Sequence, residues 1–190
     1  LTTAAALQQL GTNFRIRTSV YRGGDGVLRV VGRGDPSLTD AQLAALAKQL
    51  KQRGIQRVNQ LIADDTYIKG DIVNPSWQWE DIQSDYGAPI NSLILNQNVS
   101  SIRLLPQTVG QPLKVIWNDI NEDRQWQVIN QSITTAENQP TFTNVTRDLK
   151  GQTLRIQGQL AVNSEPTLVS LPVLAPAEYF LRRFRSTLSA

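Results

Sequence analysis

The 190-residue chain contains neither histidine nor cysteine, so its candidates for chemistry are carboxylates, hydroxyls and amines. Histidine is the commonest general base near neutral pH, and cysteine supplies thiolate nucleophiles and metal ligands. Without them the sequence excludes a Ser-His-Asp triad, a Cys-His pair and a zinc-hydrolase site. It also excludes a disulfide framework.

Acidic residues suggest two further sites that their spacing does not support. Asp64-Asp65 with Asp71 could form a metal cluster, and Asp64 with Asp81 could form the paired carboxylates of an acid hydrolase. Hard cations require several converging oxygens, and the spacing matches no calcium loop. A solvated turn is the favoured interpretation of the acidic group, and we predict no metal and no cofactor.

Asp81, Tyr86 and two tryptophans lie in an irregular stretch of the sequence. They lie in residues 71–98, a stretch rich in Trp, Asn and Pro that is typical of a loop held by side-chain contacts. A structural role is one interpretation, with Asp81 capping a local turn and Tyr86 in the core. Trp77 and Trp79 could line a groove, but burial as anchors of the loop is favoured.

The elements that would position these residues begin with an α/β pattern. Glycines follow two helical patterns, and Thr39 with Gln42 forms a capping box at the start of the second. Alternating apolar residues predict half-buried strands. The predicted elements are a helix over 1–10, a hairpin of 14–21 and 27–31, a helix over 39–54 and a strand over 58–63. We expect the first helix to begin outside this chain, because no capping segment precedes it. Methionine is absent even at position 1, so we expect Leu1 to be a processed end or a cloning boundary.

The rest of the chain is predicted to be β-rich before a terminal helix. Residues 92–105 predict an extended hairpin arm or two short strands, and Pro176 begins a helix with an apolar face. Further strands are predicted over 113–117, 126–134, 154–162 and 168–171. We therefore expect an α+β fold: an α/β accessory domain over 1–106 plus 173–190, with an inserted β-rich antiparallel domain over 107–172.

Composition narrows the class of partner. The 19 basic and 16 acidic residues give a net charge of +3, and the basic residues are scattered. Nucleic-acid binding usually requires a clustered basic stripe, so we predict no nucleic-acid partner. No apolar run approaches the roughly 20 residues of a transmembrane helix.

Four segments together resemble the class C penicillin-binding proteins, the D-alanyl-D-alanine carboxypeptidase/endopeptidase family of the bacterial cell wall. The Trp77-x-Trp-x-Asp81 block, followed by Tyr86-Gly-Ala-Pro89 and Ser92-Leu-x-Leu-Asn96, is the most specific of them. The others are the opening Leu1-Thr-Thr-Ala-Ala-Ala-Leu7, the Gly32-x-Gly-Asp-Pro-Ser-Leu38 loop with its following helix, and the Pro176 helix.

The resemblance implies that this chain is the pair of accessory domains inserted between the first and second catalytic motifs of a serine carboxypeptidase, with edges of the catalytic domain at both ends. It implies an extracytoplasmic, periplasmic location, peptidoglycan stem peptides as substrate and β-lactams as ligands of the full enzyme. It further makes Asp81 and Tyr86 the main binding candidates, because it implies that they help to hold the amino end of the stem's diamino acid. A carboxylate pairs strongly with such a cationic amine.

The catalytic motifs themselves are absent. Penicillin-recognising enzymes need Ser-x-x-Lys, Ser-x-Asn and Lys-Thr-Gly, and none of these occurs in the sequence. We therefore predict no catalytic residue and no activity for this chain alone. A stand-alone extracytoplasmic binding module without an enzymatic parent is the alternative, although it leaves the four matched segments without an explanation.

Overall fold

The structure, a computed structural model, describes residues 1–148 and 153–189. The helices are α1 (Thr2–Leu10), α2 (Asp40–Gln52), α3 (Ile120–Asp123) and α4 (Pro176–Ser189) in the described residues. The strands there are β1 (Ser19–Arg22), β2 (Val27–Val31), β3 (Gln60–Asp64), β4 (Val99–Leu105), β5 (Lys114–Trp117), β6 (Gln127–Asn130), β7 (Ile133–Thr135), β8 (Phe142–Arg147), β9 (Thr153–Ala161) and β10 (Thr167–Pro172). This mixture confirms the predicted α+β class.

The chain divides into two compact units. The first comprises Leu1–Gly70, Ile90–Gln97 and Pro176–Ala190, and the second comprises Asp71–Pro89 and Asn98–Ala175. These bounds differ from the domain limits predicted at residues 107 and 172. The difference arises because β4 pairs with β5 and β10, and its Ile102 and Leu104 belong to their core.

The first unit contains a three-stranded sheet in the order β1-β2-β3. β1 and β2 form the predicted antiparallel hairpin, and β3 runs parallel to β2 after the crossover through α2. Parallel neighbours require such a crossover, usually a helix, so this is the expected α/β unit. The capping box of Thr39 and Gln42 begins α2 as predicted.

The core of the first unit forms where α2 and α4 pack together. Leu43, Ala47 and Leu50 are buried on one face of α2, with a spacing of three and four residues. The buried residues of α4 are Pro176, Tyr179, Phe180 and Phe184. Both apolar faces were predicted from the sequence.

The predicted strand over 14–21 is shorter in the structure, since β1 begins only at Ser19. Phe14 and Ile16 are exposed. Ser19 lies opposite Val31, the last residue of β2, so the residues before Ser19 have no partner in this pairing. Alternation of apolar residues predicted the strand, but hydrogen bonding to a neighbour decided its length.

The second unit contains two sheets. In one, β4 lies between β5 and β10, and both pairings are antiparallel. In the other, β9 is antiparallel to β8 and parallel to β6 and β7. Trp117 and Trp126 stack with ring centroids 6.1 Å apart. The buried core residues are Ile102, Leu104, Leu113, Leu154, Ile156, Leu160 and Leu171.

Three sequence predictions for this unit are corrected. The unit is not wholly antiparallel, because β6 and β7 follow β9 in one shared register, with an interruption at residues 131–132. The strand β8 was missed, since Thr and Asn dominate it and its apolar content is small. Residues 92–105 contain the single strand β4 rather than two strands or a hairpin arm.

Within residues 1–148 and 153–189, each helix is too short or too polar to cross a bilayer.

Candidate functional site

Asp81 lies in a short helical turn that its own side chain helps to close. The backbone N–H of Gln78 donates to Asp81 Oδ2 at 2.9 Å. The carbonyl oxygen of Asp81 accepts a hydrogen bond from the backbone N–H of Ser84 at 3.0 Å. The half-buried Asp81 therefore does cap a local turn, as the structural alternative proposed.

Tyr86 contacts the other oxygen of the same carboxylate. Its hydroxyl donates to Asp81 Oδ1 at 3.0 Å. The side chain of Tyr86 is 68% exposed, so the alternative that placed it in the core is wrong. The structure thus brings the two predicted binding residues together on two consecutive turns. A carboxylate has about four acceptor sites, so these two hydrogen bonds leave room for a further donor.

Gly87 permits this turn to close. A Cβ atom on Gly87 would lie 2.0 Å from the carbonyl oxygen of Asp81 and 3.2 Å from the Cα of Ile82. No side chain fits at such distances, so the turn carrying Tyr86 approaches the turn carrying Asp81 backbone to backbone. The sequence placed Gly87 within the Tyr-Gly-Ala-Pro block, but local patterns gave no sign of this close approach.

Arg147 supports the turn from strand β8. Its side chain is buried, and its guanidinium donates to the carbonyl oxygens of Ile82 and of Pro172 and to Gln83 Oε1. Its backbone N–H also donates to Gln83 Oε1, at 2.9 Å. Burial lowers the pKa of Arg147, because removal from water disfavours the charged form. The sequence analysis missed Arg147 and Gln83, which are more than 60 residues apart.

The two tryptophans of the block are less enclosed than anchoring would require. Trp77 is half-buried and Trp79 is 40% exposed. The backbone N–H of Trp77 donates to the carbonyl oxygen of Asn74 at 3.1 Å, which forms a turn before Asp81. Trp77 agrees better than Trp79 with the favoured interpretation as an anchor.

The acidic pair has structural partners. Asp65 Oδ1 accepts hydrogen bonds from the backbone N–H groups of Ser92 and Leu93, at 2.7 and 3.0 Å. Asp64 forms an ion pair with Arg29 at 2.5 Å. In the described part of the chain no group of acidic residues has the arrangement of a metal site. The pair thus fixes strand β3 and the 92–93 segment, rather than being the solvated turn that the spacing favoured.

The Asp64 contacts predict a pH-dependent contribution to stability. Hydrogen bonds from Thr66, together with Arg29, hold the pKa of Asp64 below its ordinary value of 3.8. A carboxylate with a lowered folded-state pKa stabilises the fold above its unfolded pKa, and this contribution is lost as the pH falls through the folded-state value. We expect the difference in unfolding free energy between wild type and Asp64→Asn to shrink below pH 3.8.

Urea unfolding over a series of pH values measures this difference. Thr66→Val removes the hydroxyl that donates to Asp64 Oδ1 at 2.6 Å. We expect this substitution to raise the pH at which the stabilising contribution of Asp64 is lost. A difference that stays constant down to about pH 2 would contradict the assignment.

Comparison with known proteins identifies the class. The model of the D-Ala-D-Ala carboxypeptidase 3 (S13) family matches residues 1–190, and the chain belongs to this family. It is 28% identical to the D-alanyl-D-alanine carboxypeptidase of Actinomadura sp. (strain R39), over 93% of this chain and 35% of that protein. It is also 28% identical to penicillin-sensitive carboxypeptidase A of Dictyostelium discoideum, over 84% of this chain and 32% of that protein.

A solved structure has the same fold. The chain matches penicillin binding protein 4 (dacB) from Haemophilus influenzae with a TM-score of 0.72 and 23% identity, over 98% of this chain and 44% of that chain. The present chain spans about a third of the length of the two curated relatives. The family inferred from the Trp–Asp–Tyr-Gly-Ala-Pro block is therefore confirmed.

Proposed function

We propose that this chain is the non-catalytic accessory region of an extracytoplasmic serine D-alanyl-D-alanine carboxypeptidase/endopeptidase. The complete enzyme would remove the terminal D-alanine of peptidoglycan stem peptides through an acyl-enzyme. Membership of the S13 family and the names of the relatives support this activity. Since the chain lacks Ser-x-x-Lys, the nucleophile would lie elsewhere in the protein. The match over the whole chain weighs against a stand-alone binding module.

Within that enzyme, Asp81 and Tyr86 would form a subsite for the cationic amine of the stem's diamino acid. The observation that carries this proposal is the 3.0 Å hydrogen bond from the exposed Tyr86 hydroxyl to the Asp81 carboxylate. Tyr86 and the backbone N–H of Gln78 each hold one carboxylate oxygen, so the carboxylate is oriented before ligand arrives. A preorganised carboxylate loses less entropy when it pairs with an ammonium group.

Such a subsite would act on the reaction through position. The amine is not a reacting group, and its binding energy can orient the stem so that the scissile carbonyl meets the nucleophile. We therefore expect the subsite to favour stems with a free side-chain amine over stems in which that amine is acylated, because acylation removes the positive charge.

The test is Asp81→Asn in the intact enzyme. Asparagine can still accept from the N–H of Gln78 and can donate to the Tyr86 hydroxyl, so the turn is retained while the charge is lost. A hydrogen bond to a charged group contributes roughly 1.5–3 kcal/mol, so kcat/KM for D-alanine release from free-amine stems should fall about tenfold to a hundredfold. Stems with an acetylated amine should be processed as by wild type.

Two controls distinguish a failure of the amine subsite from a failure of the proposed carboxypeptidase activity. Asp85→Asn changes an exposed carboxylate of the same loop and should leave both substrates unaffected. Acylation by a β-lactam without an amine should proceed at the wild-type rate in each variant. An equal fall for both stems would refute the amine subsite, whereas a wild-type enzyme that releases no D-alanine would refute the proposed activity itself.

A further inference from the structure

We propose that the cleft between α2 and α4 binds an amphiphilic anion, with an apolar body and a phosphate group. The cleft has a volume of about 890 Å³, a size typical of sites for small organic ligands. The second halves of both helices and residues 55–59 enclose it, and all belong to the first compact unit. The proposal does not depend on the carboxypeptidase activity.

Cations form the rim of the cleft. Lys48, Lys51, Arg57 and Arg185 are exposed lining residues, Arg182 is half-buried, and none of the described residues that line the cleft is acidic. The whole chain carries 19 basic and 16 acidic residues, so the five cations are a local concentration of one sign. A cleft lined by one sign of charge concentrates oppositely charged ligands.

Two acidic residues of this unit are paired with arginines outside the cleft. Asp40 is paired with Arg183 at 2.8 Å, and Asp64 is paired with Arg29 at 2.5 Å. Neither arginine lines the cleft. The C-terminal end of α2 accounts for a cation at Lys51, because cations there complement the helix dipole. It does not account for Arg57, which lies beyond the helix, or for Arg185, which lies on α4.

The less exposed part of the lining, here called the floor, is mainly apolar. Ala47 is buried, and the half-buried aliphatic side chains are Ile55, Val58, Leu61, Leu181 and Leu188. The uncharged polar lining residues are Gln56, Asn59, Thr187 and Ser189. Inorganic phosphate would use the rim and leave this floor in contact with water, and a neutral apolar ligand would use the floor alone. A ligand with both parts pairs its anion with the rim and removes the floor from water.

Isothermal titration of the purified intact protein tests the proposal. The probe is monomeric dihexanoyl phosphatidic acid, compared with dihexanoyl phosphatidylcholine and with inorganic phosphate. We expect the phosphatidic acid to bind at least about tenfold more tightly than either comparison ligand. Equal binding of inorganic phosphate would overturn the role of the floor, and equal binding of phosphatidylcholine would overturn the role of the rim.

Two variants test whether the phosphatidic acid binds in the cleft. Lys51→Gln with Arg185→Gln removes two rim cations and should weaken binding by about tenfold or more. Ala44→Phe, at an exposed lining position of α2, should block the cleft without a change of charge. The matched control, Arg103→Gln with Lys114→Gln, removes two exposed cations from the second unit and should bind as wild type.

Equal losses in the cleft and control double variants would overturn the proposal, because they would indicate attraction by net charge alone. Wild-type binding by Ala44→Phe would overturn it as well. A further experiment measures binding to vesicles of phosphatidylglycerol. Binding to these vesicles without binding of the monomeric phosphatidic acid would replace the cleft with a membrane surface as the site of contact.

Discussion

Replacement of Gly87 by alanine is expected to lower the free energy of unfolding by about 2–3 kcal/mol, the usual cost of forcing extra atoms into a close-packed region. The new Cβ would lie 2.0 Å from the carbonyl oxygen of Asp81, and that atom belongs to backbone that cannot move aside as a flexible side chain can. Urea denaturation measures the loss. Hydrogen exchange at the Ser84 amide, which donates to the same carbonyl, measures the local opening.

Gly24→Ala is the matched control for this prediction. A Cβ on Gly24 meets nothing within 4 Å, so we expect a change of a few tenths of a kcal/mol at most. The Gly87 prediction fails if the two variants are equally stable and Ser84 stays equally protected. Under the proposed amine subsite, Gly87→Ala in the intact enzyme should also weaken discrimination in favour of free-amine stems, since it displaces Asp81.

Arg147→Ala is expected to lower the unfolding free energy by about 3 kcal/mol. The loss follows because the carbonyl oxygens of Ile82 and Pro172 would each lose a charged donor, and an unsatisfied buried acceptor costs about 1–3 kcal/mol. Arg147→Lys keeps the positive charge but not the planar fork that serves several acceptors at once. We expect it to recover less than half of the loss in urea denaturation.

Arg155→Ala provides the control for Arg147. Arg155 lies on the adjacent strand β9, opposite Thr146 in the pairing with β8, and its side chain is exposed. Its removal should change the unfolding free energy by less than about 0.5 kcal/mol. Equal effects of the two alanine substitutions would show that Arg147 does not hold the Asp81 turn.

These two predictions assign different parts to the residues around Asp81. Tyr86 and the N–H of Gln78 orient the carboxylate directly. Gly87 and Arg147 act on the backbone of residues 81 and 82, so they position the carboxylate without touching a ligand. If Asp81 and Tyr86 form the proposed amine subsite, a defect in either group should reduce recognition of the amine, but only a defect in the second group should also reduce stability strongly.

Local patterns predicted the elements of the first unit well, because their determinants lie close together in the chain. The capping box of Thr39 and Gln42 marked the start of α2, and the spacing of Leu43, Ala47 and Leu50 marked its buried face. The glycine-rich turn between β1 and β2 marked the hairpin. The strand over 14–21 was predicted too long, since alternation does not indicate where a partner strand ends.

Long-range pairing decided the second unit. The parallel alignment of β6 and β7 with β9 depends on residues that are 26 apart, such as Gln127 and Thr153, and no local pattern encodes that choice. The strand β8 has little apolar content and acquires its structure from hydrogen bonding to β9. A sheet therefore forms here from segments whose own propensity is weak.

The sequence alone, through its resemblance to the family, determined the family and the choice of Asp81 with Tyr86 as candidates. It also showed directly that the catalytic nucleophile motif is absent, since such motifs are residue types at short spacings. Only the tertiary structure decided how the candidate site is held. Gly87 closes against the Asp81 backbone, and Arg147 reaches Ile82 from a distant strand. The physical reason is that close packing and buried hydrogen bonds join groups that folding brings together, and their separation along the chain leaves no local signal.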